Sequence, residues 1–348
     1  MPNPKGVTEK VFQSPSKYIQ GPSAIKNAGK YLAEYGRAPL LLADDIVFNI
    51  AGKELTAALE QSSFTVTRGV FGGEATREEI QRLNTLVTEK KCDFIIALGG
   101  GKTIDTAKAF ADDLNLPVAV LPTTASTDAP CSALSVLYRA NGEFESYRFF
   151  SKNPAIVLVD TAVAAHAPAR FLASGIGDAL ATNIEARAVR NSPNFGGGLP
   201  TEVSAAICEK CEEILFKYGR QAVEANRAHA VTPALEAVVE ANTLLSGLGF
   251  ESGGLAAAHA LILDGAPTAA LDRYLELLHS VGLPITLEEL GIAGASDADL
   301  RRVAGLACAP NETIWNLDRI ITEEIVFNAI KGADVAGRDY LKRAGETK

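Results

Sequence analysis

Two polar segments follow two neighbouring apolar runs of this chain, and both contain residue types that hold phosphate or hydroxyl groups. The first, Gly99-Gly100-Gly101-Lys102, follows the apolar run 92–98, and the second, PTTASTD at 122–128, follows the apolar run 117–121. Glycines let backbone amides approach a diphosphate, and a helix that begins at Lys102 adds partial positive charge. The glycine run lacks G-x-G-x-x-G spacing and alone is as typical of a tight turn. With the second loop, it favours a dinucleotide site.

Three further side chains are candidates for chemistry. Asp44 ends the apolar run 39–43, where a carboxylate can accept hydrogen bonds from both adenosine ribose hydroxyls and favour NAD over NADP; the alternative is a solvated turn residue. Asp178 opens an alanine-rich helical pattern and, taken alone, is better explained as a helix N-cap. His259 follows a run of small residues, where a histidine is usually part of the core. Residue type alone does not decide these roles.

The elements that would position these residues alternate along the first half of the chain. Apolar or alternating runs predict strands at 39–44, 64–71, 92–98, 117–121 and 153–160, with helices at 76–91 and from residue 102. Asn141-Gly142 predicts a type I′ hairpin turn between strands at 134–138 and 144–150. After Asp160 the pattern is helical, with a loop at 194–200 and a helix beginning at Thr232-Pro233.

We therefore predict an α/β, Rossmann-like nucleotide-binding domain at 1–162 and an all-α domain at 163–348, with the active site in the cleft between them. The net charge of -9 argues against nucleic-acid or anionic-membrane partners. No apolar run approaches the roughly 18 residues of a membrane span, and the first ten residues lack the apolar core of a secretory signal.

Cysteine usage also points to the cytoplasm. Five scattered cysteines suit a reducing compartment better than a disulfide framework. Cys208 and Cys211 have redox or metal spacing, but they lie inside the helical pattern 202–218 without a second pair. We interpret them as one flank of a packed helix.

Five motifs together resemble the glycerol dehydrogenases of bacteria, within the iron-containing, metal-dependent alcohol dehydrogenase superfamily. They are GGGKTID at 99–105, ASTDAPCSALSVLY at 125–138, GIGDALAT at 175–182, VTPALE at 231–236 and GFESGGLAAAHA at 249–260. The resemblance extends from about residue 12 to near the C-terminus. It implies the dehydroquinate synthase-like, group III alcohol dehydrogenase architecture. It also implies NAD-dependent, zinc-assisted oxidation of glycerol to dihydroxyacetone in a cytoplasmic homo-oligomer, an octamer by family precedent.

The same resemblance implies roles for individual residues. Asp128 would hold a substrate hydroxyl, and Phe250 would also contact the substrate. Asp178 and His259 would be two of the three ligands of one Zn²⁺ per subunit, and Asp128, Asp178 and His259 form the implied catalytic set. The metal would lower the pKa of the bound alcohol. The implied cofactor contacts are Asp44, Gly100, Gly101, Lys102, Asp105, Thr123, Ser126, Ser132, Leu134 and Tyr138.

This chain departs from the family pattern after Ala260. In the family a further loop and helix follow, with another ligand in a His-Gly-Glu-Lys segment, whereas here Ala260 leads directly into Leu261-Ile262-Leu263-Asp264-Gly265. A couple of dozen residues and the third zinc ligand are missing. Two ligands hold zinc far more weakly than three. Two alternatives to an active glycerol dehydrogenase follow. The chain is a non-catalytic or impaired NAD-binding remnant, or it is a related enzyme, a polyol phosphate dehydrogenase or a dehydroquinate synthase.

Overall fold

The computed structural model describes residues 6–256, 268–310, 312–317 and 319–346. The chain forms two compact units. The α/β unit consists of Gln13–Ile176 and Gln221–Leu248, and the helical unit consists of Met1–Phe12, Gly177–Arg220 and Gly249–Lys348. The sequence predicts a single division after residue 162. By contacts, however, 221–248 groups with the α/β unit, where Glu236 bonds to Gln20 and Asn226 bonds to Ala164.

Eight strands are present in the α/β unit. They are β1 (Tyr18–Gly21), β2 (Pro39–Ala43), β3 (Thr67–Val70), β4 (Phe94–Gly99), β5 (Val118–Pro122), β6 (Leu134–Tyr138), β7 (Phe144–Phe149) and β8 (Ile156–Asp160). Six form a parallel sheet in the order β1-β8-β5-β4-β2-β3, while β6 and β7 form a separate antiparallel pair. Strands β2, β4 and β8 are buried along their whole length, as expected for a parallel sheet covered on both faces.

The helices follow in chain order. They are α1 (Ala28–Leu32), α2 (Asp45–Val47), α3 (Lys53–Gln61), α4 (Arg77–Lys90), α5 (Gly101–Asp113), α6 (Thr161–His166), α7 (Ala169–Ala188), α8 (Glu202–Arg227), α9 (Pro233–Glu240), α10 (Ser246–Gly253), α11 (Thr268–Ser280), α12 (Asp297–Ala307) and α13 (Glu323–Glu346). A π-helical turn, Ala241–Leu245, joins α9 to α10. No helix in the described ranges is long and apolar enough to cross a membrane.

Each unit has its own apolar core. In the α/β unit, side chains of the central strands such as Leu41, Ile96 and Leu158 are fully buried against neighbouring helices. In the helical unit, Leu300 and Ala304 of α12 pack against Phe327 of α13. These cores fix the strand ends and helix faces on which the predicted site residues lie.

The fold class that the sequence predicts is confirmed, an α/β Rossmann-like part and a helical part. The predicted strand at 64–71 is real but shortened to β3, and the other predicted strands and helices are present within a few residues. Thr232 caps α9 by accepting a hydrogen bond from the Leu235 amide, with Pro233 in the first turn, as expected.

Two local predictions are wrong. The β6–β7 turn is not type I′, because a type I′ turn needs positive φ at both central residues and only Gly142 of the Asn141-Gly142 pair has it, at 82°. Instead, Arg139 and Glu143 bond across a five-residue connection. The helix that carries Asp178 does not begin there, because α7 begins nine residues earlier, at Ala169, and this also excludes the alternative explanation of Asp178 as an N-cap.

Candidate active site

The order of the parallel strands creates a switch point between β2 and β4. From β2 the chain continues outward to β3, whereas from β4 it continues in the opposite direction to β5, although β2 and β4 are paired neighbours. Open α/β sheets bind ligands in the crevice at the carboxyl ends of such strands. Asp44 and Gly100 directly follow β2 and β4, so both lie at this crevice.

The glycine turn presents open backbone at the start of α5. A Cβ on Gly99 would lie 2.7 Å from Thr103 Oγ1, so this glycine is needed for packing. A Cβ on Gly100, the N-cap of α5, would meet no atom of the described residues within 4 Å. The first amides of a helix lack intrahelical acceptors and carry partial positive charge. The space beside Gly100 is therefore suited to an anion.

The second polar loop lies against this turn. The Thr123 amide donates to Gly99 O at 3.1 Å, and a Cβ on Gly101 would contact the Thr127 methyl at 3.5 Å. Within the loop, the hydroxyls of Thr124 and Ser126 are 3.0 Å apart. The structure thus brings together the two segments that the sequence singled out.

Asp128 is held at the end of this loop by the π-helical turn and α10. Ser246 Oγ donates to Asp128 Oδ2 at 2.9 Å, and Asn242 Nδ2 donates to Ala125 O at 2.9 Å. A Cβ on Gly175 of α7 would lie 2.0 Å from the same Ala125 oxygen. Close helix packing and two polar side chains therefore fix the loop backbone and orient the Asp128 carboxylate.

Asp105 lies deep beneath the site rather than in the open crevice. Its Oδ1 is 3.1 Å from Lys108 Nζ, and its Oδ2 accepts from the Val136 amide at 3.2 Å. Burial raises the pKa of Asp105, although the Lys108 ammonium opposes the shift. Lys108 Nζ in turn donates to Ala129 O at 2.9 Å and to Leu134 O. The pair anchors α5 to the segment 129–136.

The remaining predicted cofactor contacts lie around this anchor. Ser132 is buried within 3.4 Å of Lys108 Nζ, and Leu134 is partly exposed at the start of β6. Lys102, in the first turn of α5, lies 5.1 Å from the Tyr138 ring centroid and bonds to Glu74 Oε2 at 2.6 Å. Asp44 Oδ1 caps α2 by accepting from the Val47 amide at 2.8 Å. The positions of Ser132, Leu134, Lys102, Tyr138 and Asp44 do not test their roles in cofactor binding, which stay predictions.

In the helical unit, Asp178 lies exposed on α7, and Glu185 is buried two turns further along the same helix. Burial raises the pKa of Glu185 to about 7; the hydrogen bond from the Ala256 amide opposes the shift and the Asp178 charge adds to it. Phe250 is buried edge-to-face against Phe195. His259 lies outside the described residues, so its predicted ligand role has no structural counterpart here.

The helical unit also contains an apolar cavity of about 300 Å³. Side chains of α7, α11 and α13 line it, among them Leu180, Leu275 and Ile330. No predicted cofactor or metal residue from the described ranges is among its lining residues.

Cys208 and Cys211 are buried in α8, and burial raises the pKa of Cys208 to about 12, as expected for a structural helix flank rather than a reactive thiol.

Comparison with known proteins identifies the family. Residues 15–161 match the family model described as iron-containing alcohol dehydrogenase. Glycerol dehydrogenase of Pseudomonas putida is 44% identical over 96% of this chain and 100% of that protein, and glycerol dehydrogenase of Thermotoga maritima is 45% identical over 95% and 98%. This chain belongs to the iron-containing alcohol dehydrogenase family. Like the other members, it is an oxidoreductase.

Two solved structures resemble this chain in fold. Glycerol dehydrogenase from Schizosaccharomyces pombe is 37% identical, covers 98% of this chain and 94% of its own, and has a TM-score of 0.93. Sulfoacetaldehyde reductase from Bifidobacterium kashiwanohense, solved in complex with NAD⁺, has a TM-score of 0.75 at 17% identity, covering 94% of this chain and 99% of its own. That second likeness shows the fold alone.

The alignments also show that part of each bacterial relative has no counterpart here. They run over 363 positions with the Pseudomonas putida protein and 365 with the Thermotoga maritima protein, more than the 348 residues of this chain. This agrees with a missing internal segment. The position of the gap, after Ala260, stays a prediction from the motifs.

Sequence reasoning missed several residues that build this family site. Lys108 lies on the buried face of α5, where its ammonium bonds to backbone carbonyls. Its i, i+3 spacing from Asp105 was the one hint of this role in the sequence. Asn242 and Ser246 lie on a small-residue helical stretch, and their contacts with residues 125 and 128 span more than a hundred positions. Single-sequence patterns carry no such long-range pairing.

Proposed function

We propose that this chain oxidises glycerol, or a similar small vicinal diol, with NAD⁺ as the hydride acceptor. The observation that carries the proposal is the junction of the glycine turn at Gly100 with the polar loop that ends in Asp128. The turn proposed to bind the dinucleotide and the carboxylate proposed to bind a substrate hydroxyl thus follow neighbouring strands of one sheet, β4 and β5. The glycerol dehydrogenase relatives, 40–45% identical over nearly the whole chain, support the substrate class.

The residues present fit a dinucleotide. The open space at Gly100, the amides at the start of α5 and the Lys102 ammonium suit its diphosphate. Asp44 at the end of β2 suits an adenosine ribose and disfavours a 2′-phosphate. When bound, NAD⁺ supplies the electron-deficient ring carbon that accepts the hydride. The chain contributes binding and orientation of the two reactants.

Asp128 would bind the substrate by accepting a hydrogen bond from one of its hydroxyls. Ser246 holds one carboxylate oxygen, which orients the group, and a charged acceptor makes a stronger hydrogen bond than a neutral one.

The described residues do not complete a metal site. Within the described ranges, no three His, Cys, Asp or Glu side chains come together as a metal-binding group. A Zn²⁺ ion held by Asp178 and His259 therefore stays a proposal that rests on the family, and no step is derived through it. Assembly into a homo-oligomer and a cytoplasmic location are proposals on the same basis.

The test is NAD-linked turnover of glycerol together with metal analysis of the purified protein. Asp128→Asn should lower kcat/KM for glycerol by about 10- to 100-fold, because a charge-assisted hydrogen bond is lost. Asp272→Asn, which changes a partly exposed carboxylate paired with Arg343, should leave kcat/KM unchanged. Asp178→Asn should lower the metal content. NAD⁺ binding with neither metal nor turnover in the unmodified chain would instead indicate a non-catalytic remnant.

A further inference from the structure

The first cationic side chain after the open turn at Gly100 already has an anionic partner. Lys102, two residues after Gly100, places its ammonium 2.6 Å from Glu74 Oε2 and against the Tyr138 ring. The Lys102 side chain is 50% exposed and the Glu74 side chain 21% exposed. A carboxylate therefore holds the cation that a diphosphate at this helix N-terminus would need.

Local backbone contacts hold Glu74 in place. Its Oε1 accepts a hydrogen bond from the Ala75 amide at 3.0 Å, while Ala75 O accepts from the Tyr138 amide at 2.9 Å. The preceding Gly73 has a φ of 99°, a conformation that other residues rarely adopt. The Glu74 carboxylate is thus held beside Lys102, and its side chain does not move freely among many rotamers.

We propose that Glu74 is an internal competitor for Lys102 that weakens the binding of the dinucleotide and speeds its release. This inference rests on the proposed function. An ion pair as exposed as this one is held weakly, so the ammonium can exchange Glu74 for a phosphate oxygen. The carboxylate also opposes the approach of the diphosphate through like charge, and this repulsion is reduced by salt. Both effects act on binding of the phosphates and not on the hydride step.

The experiment measures the dissociation constants of NAD⁺ and ADP by calorimetry at low ionic strength. Glu74→Gln should lower both constants by about 3- to 10-fold, the range expected for removing one nearby competing charge. Glutamine keeps the acceptor for the Ala75 amide, so the melting temperature should stay the same. The matched control is Glu145→Gln, because Glu145 is a carboxylate of the same region whose ion pair is with Arg77, at 2.9 Å, and not with Lys102. It should change the constants less than 2-fold, as roughly expected of a more distant charge.

A double-mutant cycle separates competition from general repulsion. In a Lys102→Gln background, Glu74→Gln should have only the small effect of the control. Unchanged or weaker NAD⁺ binding by Glu74→Gln, or a full effect that persists without Lys102, would overturn the inference while leaving the proposed function intact. A failure of the unmodified chain to bind NAD⁺ or ADP would overturn both, and the Glu145→Gln protein would fail in the same way.

Discussion

At the residue scale, adjacent glycines of one run have different reasons to be glycine. At Gly99 the neighbouring Thr103 leaves no room for a side chain, whereas at Gly100 the described protein leaves room that nothing fills. Neither residue has a positive φ, so backbone conformation is not the constraint at either position. Packing explains Gly99, and room for a ligand is our explanation for Gly100.

Alanine substitutions should separate these two demands. Gly99→Ala should destabilise the protein by about 1–3 kcal/mol because the new methyl overpacks Thr103. Gly100→Ala should leave the free energy of unfolding nearly unchanged but weaken NAD⁺ binding at least about 10-fold, since the methyl projects where the diphosphate must approach the amides. Denaturant unfolding and calorimetry measure the two effects. Undiminished NAD⁺ affinity in Gly100→Ala would argue against a cofactor at this turn.

The sequence motif located the residues around the glycine turn, but it did not predict which of them are buried and which are exposed. Lys102 and Asp105 lie within one short motif, yet Lys102 faces solvent and Asp105 is almost fully buried against Lys108. Their difference follows from the face of α5 on which each lies and from the segment 129–136 that covers one face. That covering segment is fixed by tertiary contacts, which a motif does not contain.

At the scale of elements, helix α7 packs against the polar loop through a glycine. A helix-interior glycine normally costs about 0.5–1 kcal/mol relative to alanine. At Gly175, however, a Cβ would lie 2.0 Å from Ala125 O and 2.4 Å from Asn242 Nδ2. The usual gain from alanine is therefore opposed by a collision with backbone that cannot rotate away.

We expect opposite outcomes for two helix glycines. Gly332→Ala, at an exposed position of α13 where the new methyl meets no described atom within 4 Å, should stabilise the protein by about 0.5–1 kcal/mol. Gly175→Ala should destabilise it by about 1–3 kcal/mol and lower glycerol turnover, because the loop bearing Asp128 must shift. Thermal melting and steady-state kinetics test both. Stabilisation by Gly175→Ala with normal turnover would show that this packing does not position the loop.

Elements were predictable where one physical signal dominates. Continuous apolar runs located β2, β4 and β8 because buried parallel strands are apolar on both faces. Strand β1 was missed because its four residues are all partly exposed and polar residues interrupt the pattern. The π-helical turn that holds Asn242 also gave no signal, since its composition matches the helices on either side.

At the scale of the whole molecule, folding brings a carboxyl group into the helical core. Glu185 is 6% exposed, and its hydrogen bond from the Ala256 amide does not offset the loss of hydration, so its pKa rises to about 7. The sequence does not predict this burial, because Glu185 lies in a helical stretch that also contains the charged residues Asp178 and Arg187. The free energy of unfolding should therefore change with pH near neutrality because of Glu185, although a carboxyl group with an ordinary pKa would not titrate there.

The sign follows from proton linkage. A carboxyl whose pKa is raised on folding binds more protons in the folded state, so the stability it contributes falls as pH rises from the unfolded value of 4.5 to about 7. The ionised form should cost about 3 kcal/mol above pH 7, since one pKa unit corresponds to about 1.4 kcal/mol. Glu185→Gln should remove this cost, so its stability gain over the unmodified protein should grow across that window and then level off.

Urea unfolding of both proteins at several pH values between 5 and 8 provides the measurement. Glu213→Gln is the control, because Glu213 is an exposed carboxylate whose pKa its partner Lys210 lowers rather than raises. Its stability difference from the unmodified protein should not increase with pH. A Glu185→Gln difference that stays constant from pH 5 to 8 would mean that Glu185 is ionised at an ordinary pH. The site would then have to be more hydrated than its burial in the helical unit indicates.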